Sequence, residues 1–178
     1  MYSKFDFPRY TYNDYKNWKE DWELIDGFPF QFLPSAALKH NLVQGNFFYQ
    51  SKISLKNNKL GCNCMVVTEL DWKISDETVV RPDLMIICGA PLTDFLEFPP
   101  ALIVEIISPS SVKRDRLIKF EIYKEQGVKY YILADYIKET TEIFELVDNV
   151  YKQVYISSFQ VDKNCQVDFD FEEIWNQN

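Results

Sequence analysis

The sequence predicts an α/β fold: a central mixed β-sheet flanked by helices, with extra β-hairpins toward the N-terminal and C-terminal ends. Three observations predict it. Two short apolar runs, Leu84–Cys88 and residues 101–107, are rich in β-branched residues and bounded by proline or glycine, as buried strands are. The second run is followed by a helical stretch, VKRDRLIKFEIYKEQG, and then by a third apolar run at residues 129–134. A strand, a helix and a strand in succession point to a crossover that returns to the same sheet. Asp26-Gly27 and Asp148-Asn149 each sit between two strand-like runs and mark hairpin turns.

Taken in order, residues 11–20 read as a short helix with Thr11 or Asn13 as its cap and an aromatic packing stripe of Tyr12, Tyr15 and Trp18. Trp22–Ile25 and residues 28–33 are strands joined by the Asp26-Gly27 turn. Residues 36–56, preceded by Ser35, read as a long helix that Asn57-Asn58 ends. Gly45 lies inside it and costs about 1 kcal/mol relative to alanine, which close packing on the sheet would offset. Cys64–Thr68 and residues 71–74 are strands, and residues 75–78 are a turn. Val79 to Pro82 lead into the Leu84–Cys88 strand. Residues 89–98 form a loop, and Pro99-Pro100 stiffens the approach to the next strand. The helix after it takes Ser110 or Ser111 as a cap and Gly127 as its end. Residues 141–147 and 150–157 make the hairpin about Asp148-Asn149. A strand at 166–169 and a short helix at 171–175 complete the chain. With no repeats and no linker, the 178 residues are expected to form one domain, 1–178.

Apolar residues make up 47% and charged residues 26%, which is ordinary globular usage. No apolar run approaches the length of a membrane span, and the first ten residues lack the apolar centre of a signal peptide. A cytoplasmic protein with no membrane partner is therefore expected. Cys62, Cys64, Cys88 and Cys165 meet no metal-ligand spacing, and the expectation is buried free thiols. The formal net charge of −8 argues against broad attraction to phosphate backbones. A local basic patch at Lys113, Arg114 and Arg116 remains open, beside the plain reading of a solvated helix face.

Three residues carry the candidate chemistry. Asp83 opens one predicted core strand and Glu105 lies inside the other, between Val104 and Ile106. Burying a carboxylate is costly unless a cation or hydrogen bonds compensate. Two carboxylates on neighbouring strands could share a hard divalent ion. On an α-helical wheel Lys113, Arg114, Glu121, Lys124 and Glu125 cluster on one side, while Lys119 falls on the opposite face with Val112, Asp115, Ile122 and Tyr123. Two of them have plainer readings, Asp83 as a turn cap and Lys119 as the partner of Asp115 at i,i+4, while Glu105 inside a strand is harder to dismiss. Arg81 reads most simply as a salt-bridge partner, with Asp83 or a phosphate as its anion.

PDLMII, VEIISPSS, RD-x-x-x-K and Y-x-x-x-GV-x-YYIL-x-D, with WELIDG at Trp22–Gly27, resemble the Uma-type restriction endonuclease family, a bacterial branch of the PD-(D/E)XK nuclease superfamily. The resemblance runs from about Thr11 to Trp175. It implies a restriction-endonuclease-like fold and an endonuclease that hydrolyses DNA with Mg2+ or Mn2+. It also implies Asp83, Glu105 and Lys119 as catalytic residues, and Asp83, Glu105 and the Ile106 carbonyl as metal ligands. Glu23 in WELIDG and His40 in the following helix match further site positions. The plainer alternatives are an exposed edge-strand position for Glu23 and a surface or core histidine for His40. The superfamily usually places its lysine two residues after the glutamate. Here that residue is Ile107, and the lysine comes from the next helix.

Two other readings stand beside the nuclease. One is a catalytically inactive module that keeps the fold, favoured by the acidic balance and the missing strand lysine. The other uses the paired carboxylates for glycoside hydrolysis, with nothing else pointing to a sugar. A homodimer would suit cleavage of both strands of a duplex.

Overall fold

The computed structural model describes residues 7–19, 21–31, 37–58, 61–90, 93–109 and 111–176. The order of elements is α1 (Tyr12–Tyr15), β1 (Trp22–Ile25), β2 (Phe28–Gln31), α2 (Leu38–Asn57), β3 (Cys64–Thr68), β4 (Trp72–Ser75), β5 (Thr78–Val80), β6 (Leu84–Cys88) and β7 (Leu102–Ile107). A π-helical segment, Arg114–Lys119, then runs directly into α3 (Phe120–Glu125). β8 (Tyr130–Asp135), β9 (Thr140–Val147), β10 (Val150–Val154), β11 (Ser158–Asp162), β12 (Cys165–Asp168) and α4 (Phe171–Ile174) follow. This is the expected α/β architecture of a restriction-endonuclease-like fold, a mixed sheet with helices against it.

The central sheet has six strands in the order β10-β9-β8-β7-β6-β3. β7 and β8 are parallel, joined by the helical crossover, and the other pairs are antiparallel. β7 is buried at all six positions, which explains why it is apolar at every one but Glu105. Successive side chains face two different cores. Leu84, Ile86, Leu102, Val104 and Ile106 pack with Val43 and Phe47 of α2 and with Phe159 and Val167 of the β11–β12 hairpin. Met85, Ile87, Ile103 and Ile107 pack with Trp72, Tyr123 and Val128. Glu105 lies midway between Ile103 and Ile107 in this alternation and so faces α3.

A second sheet, β2-β1-β5-β4, forms the N-terminal addition. Tyr15 packs on it against Leu24 and Val79, with Tyr12 and Trp18 alongside, so the aromatic stripe is a packing face. The Asp26-Gly27 turn has φ of 49° and 76°, the left-handed pair that a type I′ hairpin requires. Asp148 and Asn149 adopt the same pair, 53° and 60°, without a glycine.

Several expectations need correction. The first helix is one turn long, Tyr12–Tyr15, and the second hairpin strand ends at Val154. Residues 32–36, Ser35 among them, and Ser110 lie outside the described residues. β5 occupies what reads locally as a turn and lead-in, because it is only three residues long and is held by β1 and β4 on either side. β11 also escapes the sequence reading, although its Phe159 and Val161 alternate with polar neighbours. A Cβ at Gly45 would meet nothing within 4 Å, so close packing does not explain that glycine.

The cysteines are paired rather than free. Cys64 and Cys88 are direct partners in the β3–β6 ladder, with Cα atoms 4.0 Å apart. Cys62 and Cys165 join across a sequence separation of 103. Tertiary packing of the β11–β12 hairpin makes that second pair, and no spacing in the chain announces it. Among the described residues no helix is long and apolar enough to cross a membrane.

Candidate active site

β6 and β7 are neighbours, with Leu84 opposite Val104. The ladder stops there, so the Ile106 N–H lacks a strand partner on that side. Asp83, just before β6, takes its place: its Oδ2 accepts the Ile106 N–H at 2.7 Å. This fixes one carboxylate against the backbone next to the other, Glu105.

Lys119 meets them from the crossover helix. Its Nζ lies 2.9 Å from Glu105 Oε1, 2.7 Å from Glu23 Oε1 and 3.7 Å from Asp115 Oδ1. The π-helical geometry matters here. Bonds of the i→i+5 type widen the turn and bring residues five apart onto one face. Arg114 and Lys119 are five apart, and both reach Glu23, Arg114 Nε lying 3.2 Å from Oε2. An α-helical wheel sends Arg114 to solvent, and that expectation is overturned. Tyr123, one α-turn past Lys119, donates its hydroxyl to Glu105 Oε1 at 2.6 Å. Tyr131 donates to the Asp115 carbonyl at 3.0 Å.

Glu23 arrives from β1, a strand with neighbours on both sides, and is fully buried. The exposed edge position considered for it is therefore wrong. Its Oε1 also accepts the Arg81 N–H at 2.9 Å. The Arg81 side chain pairs with Asp71 and Asp21 rather than with Asp83. His40 comes from α2, buried, with Nε2 3.5 Å from Asp83 Oδ2. One turn later, Gln44 donates to the Asp83 carbonyl at 2.9 Å.

Glu23, His40, Asp83, Glu105 and Lys119 thus converge, from two sheets and two helices. Sequence reasoning put Arg114 in a basic patch or on a solvated helix face rather than in the cluster, and undervalued Asp115 and Tyr123. Tyr123 carried a usable signal, its i+4 spacing from Lys119. Arg114 carried none, because the π-helical register is not written in the local pattern. Of the proposed basic patch, Arg116 is committed to Glu142 and Arg114 to Glu23.

The charges are buried and strongly coupled. Burial pushes the Glu105 carboxyl up to about 8, against the opposing pull of Lys119. Burial likewise raises Asp115, opposed by Lys119 and by a Ser111 hydrogen bond. Burial alone would lower Lys119, but Glu105, Glu23 and Asp115 together hold it above its ordinary value. His40 follows the same logic, with the contact to Asp83 outweighing burial and raising it. Of four buried carboxylates, Glu23, Glu105 and Asp115 face the ammonium of Lys119, Glu23 and Asp115 also face the guanidinium of Arg114, and Asp83 faces His40. With every carboxyl ionised, four negative charges stand against Lys119, Arg114 and the raised His40, so the cluster favours uptake of a proton, as at Glu105, or of a cation.

A broad open groove elsewhere, between α2, the β11–β12 hairpin and α4, shares no residue with this cluster. The fold is similar to a crystal structure described as "a putative nuclease belonging to DUF820 from Anabaena variabilis". The TM-score is 0.74 at 14% identity, covering 93% of this chain and 97% of that one. No curated protein matches the sequence. The profile of the Uma2 family, described as "Putative restriction endonuclease", matches residues 7–172, and the chain belongs to that family.

Proposed function

We propose that the chain is a Mg2+- or Mn2+-dependent endonuclease that hydrolyses phosphodiester bonds of DNA. The observation that carries this reading is the meeting of Asp83 and Glu105 on adjacent strands with the buried ammonium of Lys119. The excess of buried carboxylate supports a hard divalent ion, since oxygen donors suit it and its charge would offset theirs. Asp83 uses Oδ2 for the Ile106 N–H, and Glu105 uses Oε1 for Lys119 and Tyr123. Their second oxygens, with the Ile106 carbonyl on the Asp83 side of β7, are the ligands assigned here. A bound ion would supply water activated at neutral pH and a Lewis acid toward phosphate.

The chain's own residues do the rest. Lys119 adds positive charge where the phosphate becomes more negative. Glu23 and Tyr123 fix the Lys119–Glu105 pair, and His40 steadies Asp83. The same reading treats residues 1–178 as one domain that acts in the cytoplasm, as a homodimer suited to cutting both strands.

The test is cleavage of plasmid DNA with magnesium or manganese, comparing wild type with Asp83→Ala and Glu105→Gln. Each variant should lose activity by at least about a hundredfold while circular dichroism stays native. Cleavage at the wild-type rate by either variant would remove the assignment. A second reading, an inactive nuclease-fold binding module, is favoured by one feature. The Lys119 ammonium is engaged by two carboxylates at once, while the usual lysine position is Ile107. Calorimetry separates the two: a wild type with no saturable uptake of magnesium or manganese near neutral pH is the module.

A further inference from the structure

The four cysteines come from separate parts of the fold, yet three of their sulfurs gather in one place, with the fourth bonded to one of them. Cys62 precedes β3, Cys64 begins it, Cys88 ends β6, and Cys165 begins β12. The sulfurs of Cys62, Cys64 and Cys165 all lie within 4.8 Å of one another, although they belong to two different disulfides. Cys88 is bonded to Cys64, and its sulfur lies 3.7 Å from the Val161 carbonyl of β11, beside the same hairpin. Two independent crosslinks need no such convergence. Thiolates around one ion do.

We infer that, once its disulfides are reduced, this cluster is a tetrahedral four-thiolate site for zinc. It would tie the β11–β12 hairpin to the edge of the six-stranded sheet. Zinc takes four thiolates at about 2.3 Å, which sets the sulfurs roughly 4 Å apart. Three of the sulfurs already lie within 4.8 Å of one another, and Cys88 stands beside them through its bond to Cys64. The backbone is held for it from both directions. The β3–β6 ladder fixes Cys64 opposite Cys88. Gly61, at φ +102°, lets the chain before Cys62 pass against Asn164, whose Nδ2 would stand 3.2 Å from a Cβ there. Cys165 is fully buried, and the other three are partly buried, as in closed structural sites. Sulfur donors here and oxygen donors at Asp83 and Glu105 select different ions.

The chemistry balances with a dithiol as reductant. Each disulfide takes two electrons and two protons from one dithiol, which closes to its own disulfide, so two dithiols yield four protein thiols. Zinc then displaces four protons and leaves a dianionic tetrathiolate. The ion takes over the task of the Cys62–Cys165 bond, holding the hairpin across a separation of 103 residues.

The experiment uses the full chain, reduced with a dithiol, given zinc ion and desalted. Elemental analysis should find one zinc per chain, and the four thiols should resist a thiol-reactive dye. Cys62→Ser and Cys88→Ser should each lose the ion, while Asp83→Ala keeps it, so this result is independent of the nuclease reading. Cobalt substitution should give a sulfur-to-cobalt charge-transfer band. A folded, reduced wild type that retains no zinc and exposes its thiols would overturn the proposal. So would a cobalt spectrum without the sulfur band, which would place the ion elsewhere.

Discussion

At the scale of single residues, Lys119 governs the site. It is 1% exposed and joins carboxylates from β1, β7 and its own helix. Removing one partner of a buried ion pair leaves the other uncompensated, at about 3–5 kcal/mol. Lys119→Met should therefore lower the unfolding free energy by that amount in urea titrations. Adding Glu105→Gln to it should restore part of the loss. Arg116 and Glu142 make a contrasting pair, one-third exposed on both sides. The guanidinium beside it holds Glu142 below its ordinary value, with burial opposing. A depressed carboxyl contributes stability above its unfolded value and loses it as pH falls through the folded one. Glu142→Gln should then cost no more than about 1 kcal/mol at neutral pH. The difference from wild type should close in acid, as thermal melts across pH would record.

At the scale of elements, the central strands and turns were legible. β1, β3 and β6 fall where alternation, apolar runs and flanking glycine or proline put them. Those signals are local: β6, buried along nearly its whole length, is apolar throughout, and the turn residues that bound each strand adjoin it in sequence. β5 was not legible, since three residues carry too little pattern and its partners are remote in sequence. The crossover helix was read as α-helical throughout. Its first half is π-helical, which changed the side that Arg114 faces. α2 offers a direct test. Gly45 is exposed, has a helical φ, and a Cβ there would touch nothing. Gly45→Ala should stabilise the protein by about 0.5–1 kcal/mol, seen as a higher denaturation midpoint.

At the scale of the whole molecule, two disulfides connect the β11–β12 hairpin and β3 to the rest. A crosslink that closes a loop of about 100 residues contributes about 4–5 kcal/mol by restricting the unfolded chain. Reduction without added metal should therefore lower the unfolding free energy by several kcal/mol. Zinc added to the reduced chain should recover much of it, measured by urea titration under a dithiol. The net charge of −8 acts at this scale too. With Arg114 and Arg116 both committed to carboxylates, few cations remain there to meet phosphates, so DNA binding should be weak and its salt dependence shallow.

The sequence alone determined that the central strands β6, β7 and β8 are buried, which residues turn the hairpins, and that Asp83, Glu105 and Lys119 are anomalous where they stand. Each of these follows from local pattern, since a charge amid apolar residues is visible in the chain itself. Only the tertiary structure decided that Glu23 and Arg114 complete the cluster, that His40 meets Asp83, and that the sulfurs of Cys62, Cys64 and Cys165 share one place. Those contacts join elements remote in sequence. Packing two sheets and a π-helical turn against one another brings them together, and no local periodicity encodes that geometry.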